Sequence, residues 1–147
     1  CEGLVGSEMC IRDRDIIKPN TKIEPYNVVE IQLISLKNND KPDKDFGIEQ
    51  TWEFAHPENK INTGPLNNFK KMLKNEIYSI LLNHKDHKIE EIYNNKKIAI
   101  YDVIILGSDN FYYEFKWQVE RYDGKGSLNN CWLTTAVSNP VSLGASI

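Results

Sequence analysis

His84 and His87 stand three apart in the string HKDH (84–87), with Asp86 between them, and are the first side chains in this chain whose types suggest chemistry. An imidazole titrates near neutral pH and serves as acid, base or pocket donor. His84 therefore heads the catalytic candidates, although bonding a loop carbonyl to fix the chain is the plainer role. Two imidazoles and a carboxylate fall short of a metal site, which needs three or four ligands in definite geometry. His56 is the only other histidine and no Cys cluster completes a set, so no metal site is expected and no cofactor is implied. Asp102 is the second candidate, because it interrupts the apolar run Ile98, Ile100, Ile104, Leu106. In an apolar cavity a carboxylate's pKa rises by desolvation and it becomes a usable base. Its alternative is a strand-edge position facing solvent or a lysine. Trp52, Phe69, Met72, His84, Trp117 and Trp132 are the candidates to line a ligand pocket, and the aromatic members serve equally as core filling. Cys131, beside Trp132, reads as a buried inert thiol. DGKG (123–126) is a turn, since a phosphate loop needs more length and a following Ser or Thr.

The elements that must hold these groups change period midway. Pro25 suits a first helical position, and Tyr26, Val29, Leu33 and Leu36 follow as one apolar stripe. NNDKPDKD (38–45) breaks that helix. A second, shorter helix runs through Ile48, Trp52 and Ala55 and stops before Pro57. PENKINTG reads as loop. Pro65 starts a third helix that buries Leu66, Phe69, Met72 and Leu73, and YSILLNH is a connector. Beyond it Phe111, Tyr113, Phe115, Trp117 and Val119 alternate with polar neighbours, a strand with one buried face. KKIAIYDVIIL precedes it across GSDN, NCWLTTAVS follows DGKG, and a weaker strand covers Lys88–Tyr93. Helices followed by an antiparallel meander predict an α+β domain, its N-terminal helices packed on a curved antiparallel sheet. Ile98, Ile100, Ile104 and Leu106 share one strand face and Ala99, Tyr101, Val103 and Ile105 the other, so both faces are apolar. A homodimer through the sheet face, or a terminal segment lying across it, would cover the second face.

Composition narrows the partners. The chain of 147 residues has a formal net charge of −3. Its opening, LVGSEMCIRDR (4–14), has neither a helical nor an alternating period, and resembles a translated sequencing-library adaptor; residues 1–14 are therefore read as an adaptor-derived artefact and set aside. That leaves 15–24 as an N-terminal extension, 25–138 as one domain and 139–147 as a C-terminal tail. It also leaves Cys131 alone, without an internal disulfide partner, and leaves localisation open. The remaining cations are lysines except Arg121. A mildly acidic chain poor in arginine is a weak nucleic-acid binder, and its apolar runs are too short to cross a bilayer.

One segment carries a family resemblance. FAHPEN (54–59), TGPLNNF (63–69), Met72-Leu73 and YSILLNH (78–84) are similar to the pattern of an uncharacterised family, domain of unknown function 4864. VVEIQLISLKNNDKPDKDFGIEQTWEF and CWLTTAVS resemble its members too, so the likeness spans roughly residues 27–138; His56 departs from it, standing where the pattern has Ser. The resemblance implies a cystatin-like, nuclear-transport-factor-2-like fold, a cone of helices on a curved sheet, and brings no established activity. Related cones include isomerases and dehydratases with an Asp or His in the cavity. The leading functional expectation is a non-catalytic module that binds a small apolar ligand or a protein partner. The alternative is an isomerase- or dehydratase-like enzyme acting through His84 or Asp102, and a scaffold role through dimerisation is third.

Overall fold

Pro25, whose fixed φ suits the first turn of a helix, opens α1 (Pro25–Lys37) in the computed structural model, which describes residues 16–145. Residues 1–14, read above as adaptor-derived, lie outside the described residues. α1 buries Val28, Val29, Gln32, Leu33 and Leu36. Tyr26, expected on that stripe, is 41% exposed and presents its edge to Tyr101; Val28 and Gln32 rotate the buried face away from it.

Asn39 turns the chain from α1 into α2 (Phe46–Glu53). Its Oδ1 accepts from the Ile48 amide at 3.0 Å and its Nδ2 donates to Asp45 Oδ1 at 3.2 Å. Lys74 holds the other Asp45 oxygen at 2.7 Å. α2 can lie this close to α1 because residue 47 is glycine: a Cβ there would sit 2.1 Å from the Ser35 carbonyl oxygen. The helix ends at Glu53, so Ala55 falls beyond it and instead bridges Thr134. The extension before α1 is fastened here, since Gln50 accepts from the Ile17 amide and donates to the Ile17 carbonyl, at 2.8 and 2.7 Å.

PENKINTG is not a loop. Residues Pro57–Thr63 form α3, with Pro57 in its first turn and the His56 ring Nδ1 accepting from the Glu58 amide at 3.1 Å. An accepting side chain before a first-turn proline caps a helix as an Asp or Ser would. The sequence concealed it because α3 buries no residue, and Ile61 is 78% exposed. Gly64, at φ 87°, ends it. α4 (Leu66–Leu73) buries Phe69 and Leu73 as expected, and a 3₁₀ turn follows at Ser79–Leu81.

The strands β1 (Asp86–Asn94), β2 (Ile98–Leu106), β3 (Phe111–Arg121), β4 (Trp132–Val137) and β5 (Val141–Ala145) form one antiparallel sheet in the order β1-β2-β3-β4. β5 lies in the stretch read as a C-terminal tail. It pairs with β3 at Phe111–Glu114, whereas β4 pairs at Trp117–Arg121, so one edge of the sheet is built from two strands in succession. Register shifts fall between Glu91 and Tyr93 in β1 and between Gln118 and Val119 in β3, the bulges that sharpen a sheet's twist.

The fold is α+β, four helices packed with a five-stranded antiparallel sheet. Its core lies between the helices and one sheet face: Ala99, Tyr101, Val103 and Ile105 of β2 and Phe115, Trp117 and Val119 of β3 meet Val29, Leu33, Leu36 and Ile48. Full burial of each large apolar side chain contributes about 1.5–3 kcal/mol. Phe111 shares the parity of this face yet is 42% exposed, because it opens the strand past the helical layer. Among the described residues no helix is long and apolar enough to cross a membrane.

Candidate functional site

Between α1, α4, the 3₁₀ turn and the ends of β3 and β4 the core leaves a cavity of about 120 Å³. Trp117, Leu36 and Leu81 form its buried apolar floor, Phe69 and Leu73 one side, and half-buried Asn59, Met72, Tyr78 and Val137 its rim. The segment 54–84 supplies eight of the fourteen lining residues, from Ala55 to Leu81.

Polar groups reach the cavity, and they are already engaged. Gln32 Oε1 accepts from Trp117 Nε1 at 3.0 Å and from Thr134 Oγ1 at 2.6 Å, while its Nε2 donates to the Thr51 carbonyl at 3.1 Å. All four residues are buried. One amide thus locks α1, α2, β3 and β4 together, the arrangement that makes a buried polar network tolerable. Asn59 Nδ2 donates to the Thr134 and Thr135 carbonyls at 3.2 and 2.9 Å, fixing α3 to β4. Thr51 donates to the Gly47 carbonyl at 2.8 Å and the Tyr78 hydroxyl to the Val137 carbonyl at 3.1 Å.

Tyr78 is the one ionisable group in this lining, and burial raises its pKa. At neutral pH it is a protonated phenol whose proton is committed to a carbonyl. The lining is thus mainly apolar, and the proton of its one ionisable side chain is engaged by a main-chain carbonyl.

Of the residues singled out from the sequence, Phe69, Met72 and Trp117 border the cavity; Trp52, His84 and Trp132 do not. Trp52 lies under the Lys60 ammonium, 4.4 Å from the ring centre. Trp132 begins β4 and packs half-buried against the core. His84 is buried, with Nδ1 2.7 Å from the Leu81 carbonyl and Nε2 2.8 Å from His87 Nδ1. A carbonyl only accepts, so His84 carries its proton on Nδ1, and in the neutral pair His87 Nδ1 donates to His84 Nε2. Burial lowers the His84 pKa to about 4, outweighing the Leu81 hydrogen bond that raises it; burial lowers that of His87 as well. Here His84 fixes the entry to β1. Asp102 points from the outer sheet face, held by Lys116 of the neighbouring strand. The Cys131 thiol is buried, bonds the Ser127 carbonyl at 3.7 Å and has its pKa raised by burial, which keeps it a neutral thiol. Among the described residues no three His, Cys, Asp or Glu side chains gather as a metal site.

Gln32, Thr51, Asn59 and Thr134 were not anticipated. Gln32 alone left a mark in the sequence, as a polar residue on the apolar stripe between Val29 and Leu33. The chain matches no family model, no curated protein and no solved structure.

Proposed function

We propose that this domain is a non-catalytic binding module that receives a small apolar group, one ring or a short branched chain, in the cavity above Trp117. The observation that carries this reading is the lining: an apolar hollow whose polar atoms are engaged within the protein and whose one ionisable group donates its proton to a main-chain carbonyl. Size supports it, since about 120 Å³ is close to the ~150 Å³ at which a dry apolar cavity accepts a benzene ring. The candidates for the isomerase- or dehydratase-like alternative were His84 and Asp102, and neither borders the cavity. The acidic balance speaks against nucleic acid as a partner.

The test titrates indole and toluene against the ¹⁵N-labelled protein and follows the Trp117 indole N–H resonance. Saturable shifts at Trp117 and the Phe69–Leu73 amides are expected, abolished in Leu81→Trp, where the larger ring fills the hollow. Resonances unmoved up to the solubility limit of both probes would overturn the reading.

A further inference from the structure

The face of the sheet turned away from the helices carries a second, independent feature. Ile98, Ile100, Ile104 and Leu106 of β2 project there, opposite to the buried Ala99, Tyr101, Val103 and Ile105. The strand register sets their neighbours. Lys88 of β1 and Glu114 of β3 flank Ile104, and Glu90 and Lys116 flank Asp102 in the next outward row. Exposed Tyr93 and Tyr112 extend the apolar surface at its two ends, beside Ile100 and Leu106.

The charges follow a rule. In the two central rows β1 carries Lys88 then Glu90 and β3 carries Glu114 then Lys116, while Asp86 beside Leu106 and Glu120 beside Ile98 stand in the outer rows. Half a turn about an axis parallel to β2 lays β1 of one copy over β3 of another. It sets Lys88 against Glu114 and Glu90 against Lys116, each contact twice, and stacks the β2 isoleucines on their own copies. Asp102 then faces its equivalent, each carboxylate held by its own Lys116, whose ammonium also lies 3.6 Å from its own Glu114. A two-fold interface must be self-complementary in this manner, and aligned sheets pack face to face with their strands nearly parallel.

We propose that this outer face is the interface of a two-fold homodimer, the partner being a second copy of this chain. The area suffices: four strands at ~4.8 Å spacing by nine residues at ~3.3 Å project about 570 Å² per copy, the order of the ~800 Å² per partner of a stable interface.

Sedimentation equilibrium of the whole chain between about 1 and 100 μM tests it. The wild type is expected to reach the dimer mass. Lys88→Glu and Glu114→Lys are each expected to weaken association about tenfold or more, and the double exchange to restore it to within about threefold. Ile104→Asp should be monomeric with an unchanged circular dichroism spectrum. Because Lys88 and Glu114 flank the isoleucine on the surface, the charge exchange still decides the matter if Ile104→Asp fails to fold. A wild type that stays monomeric at 100 μM overturns the proposal, whatever else covers the face. So does a double exchange that fails to recover association.

Discussion

Replacing Gln32 by Leu tests the idea that one buried amide organises the cavity. Leucine keeps much of the volume and the apolar contacts of α1, so the change falls on hydrogen bonding. Trp117 Nε1–H and the Thr134 hydroxyl lose their acceptor, while the Thr51 carbonyl loses one of two donors and keeps the Phe54 amide. Each buried polar group left without a partner costs about 1–3 kcal/mol. The Thr134 hydroxyl can turn to another acceptor, and release from burying the amide itself offsets part of the sum. The net loss expected is about 2–4 kcal/mol, which for a domain of this size lowers Tm by about 8–16 °C. Urea unfolding followed by tryptophan fluorescence measures it, together with Thr134→Val and the double variant. Because Gln32 and Thr134 share a bond, the combined loss should fall short of the sum of the single losses by at least about 0.5 kcal/mol. If Gln32→Leu unfolds within about 0.5 kcal/mol of the wild type, or if the two changes simply add, Gln32 is not the hub described here.

Two more outcomes follow from the geometry. The native fold holds His84 neutral down to about pH 4, whereas the unfolded chain protonates it near 6.5; stability is therefore full above 6.5 and falls, by up to about 3 kcal/mol, as pH drops towards 4. Denaturant midpoints across that window should show the slope in the wild type and lose most of it in His84→Gln, and equal slopes would refute the assignment. Gly47→Ala should cost at least about 2 kcal/mol in the same assay, because its Cβ would stand 2.1 Å from the Ser35 carbonyl oxygen and must push α1 and α2 apart; an unchanged midpoint would show that the two helices do not depend on that contact.

The architecture was legible wherever burial imposed a period. β3 alternates because one face meets the helices, and α4 spaces Phe69 and Leu73 because one side meets the core. Where structure rests on single hydrogen bonds, no period exists to read. α3 buries nothing and is held by the His56 cap and two bonds from Asn59 to β4. β5 is mostly exposed and owes its place to pairing with the start of β3. The chemistry was less legible still. His84 and Asp102 drew attention by residue type, yet a titratable group acquires a function from its neighbours, and theirs are a loop carbonyl, another imidazole and a lysine.

β2 shows how far a pattern reaches and where it stops. Its outward and inward residues are both apolar, so composition alone left open which face meets the helices. Two bulky aliphatics, Ile100 and Ile104, stand on the outer face, while the inner face carries the small Ala99 beside the large Tyr101. The choice is made across strands: Ala99 pairs with Val119, Tyr101 with Trp117 and Val103 with Phe115, all on the helix side, whereas the outward row pairs with Glu114, Lys116, Gln118 and Glu120. A strand neighbour whose two faces differ in polarity thus orients one whose faces do not. The same register that buries Tyr101 therefore turns four aliphatic side chains outward, with Ile104 set between Lys88 and Glu114, so the inner core and the proposed dimer face are two consequences of one pairing.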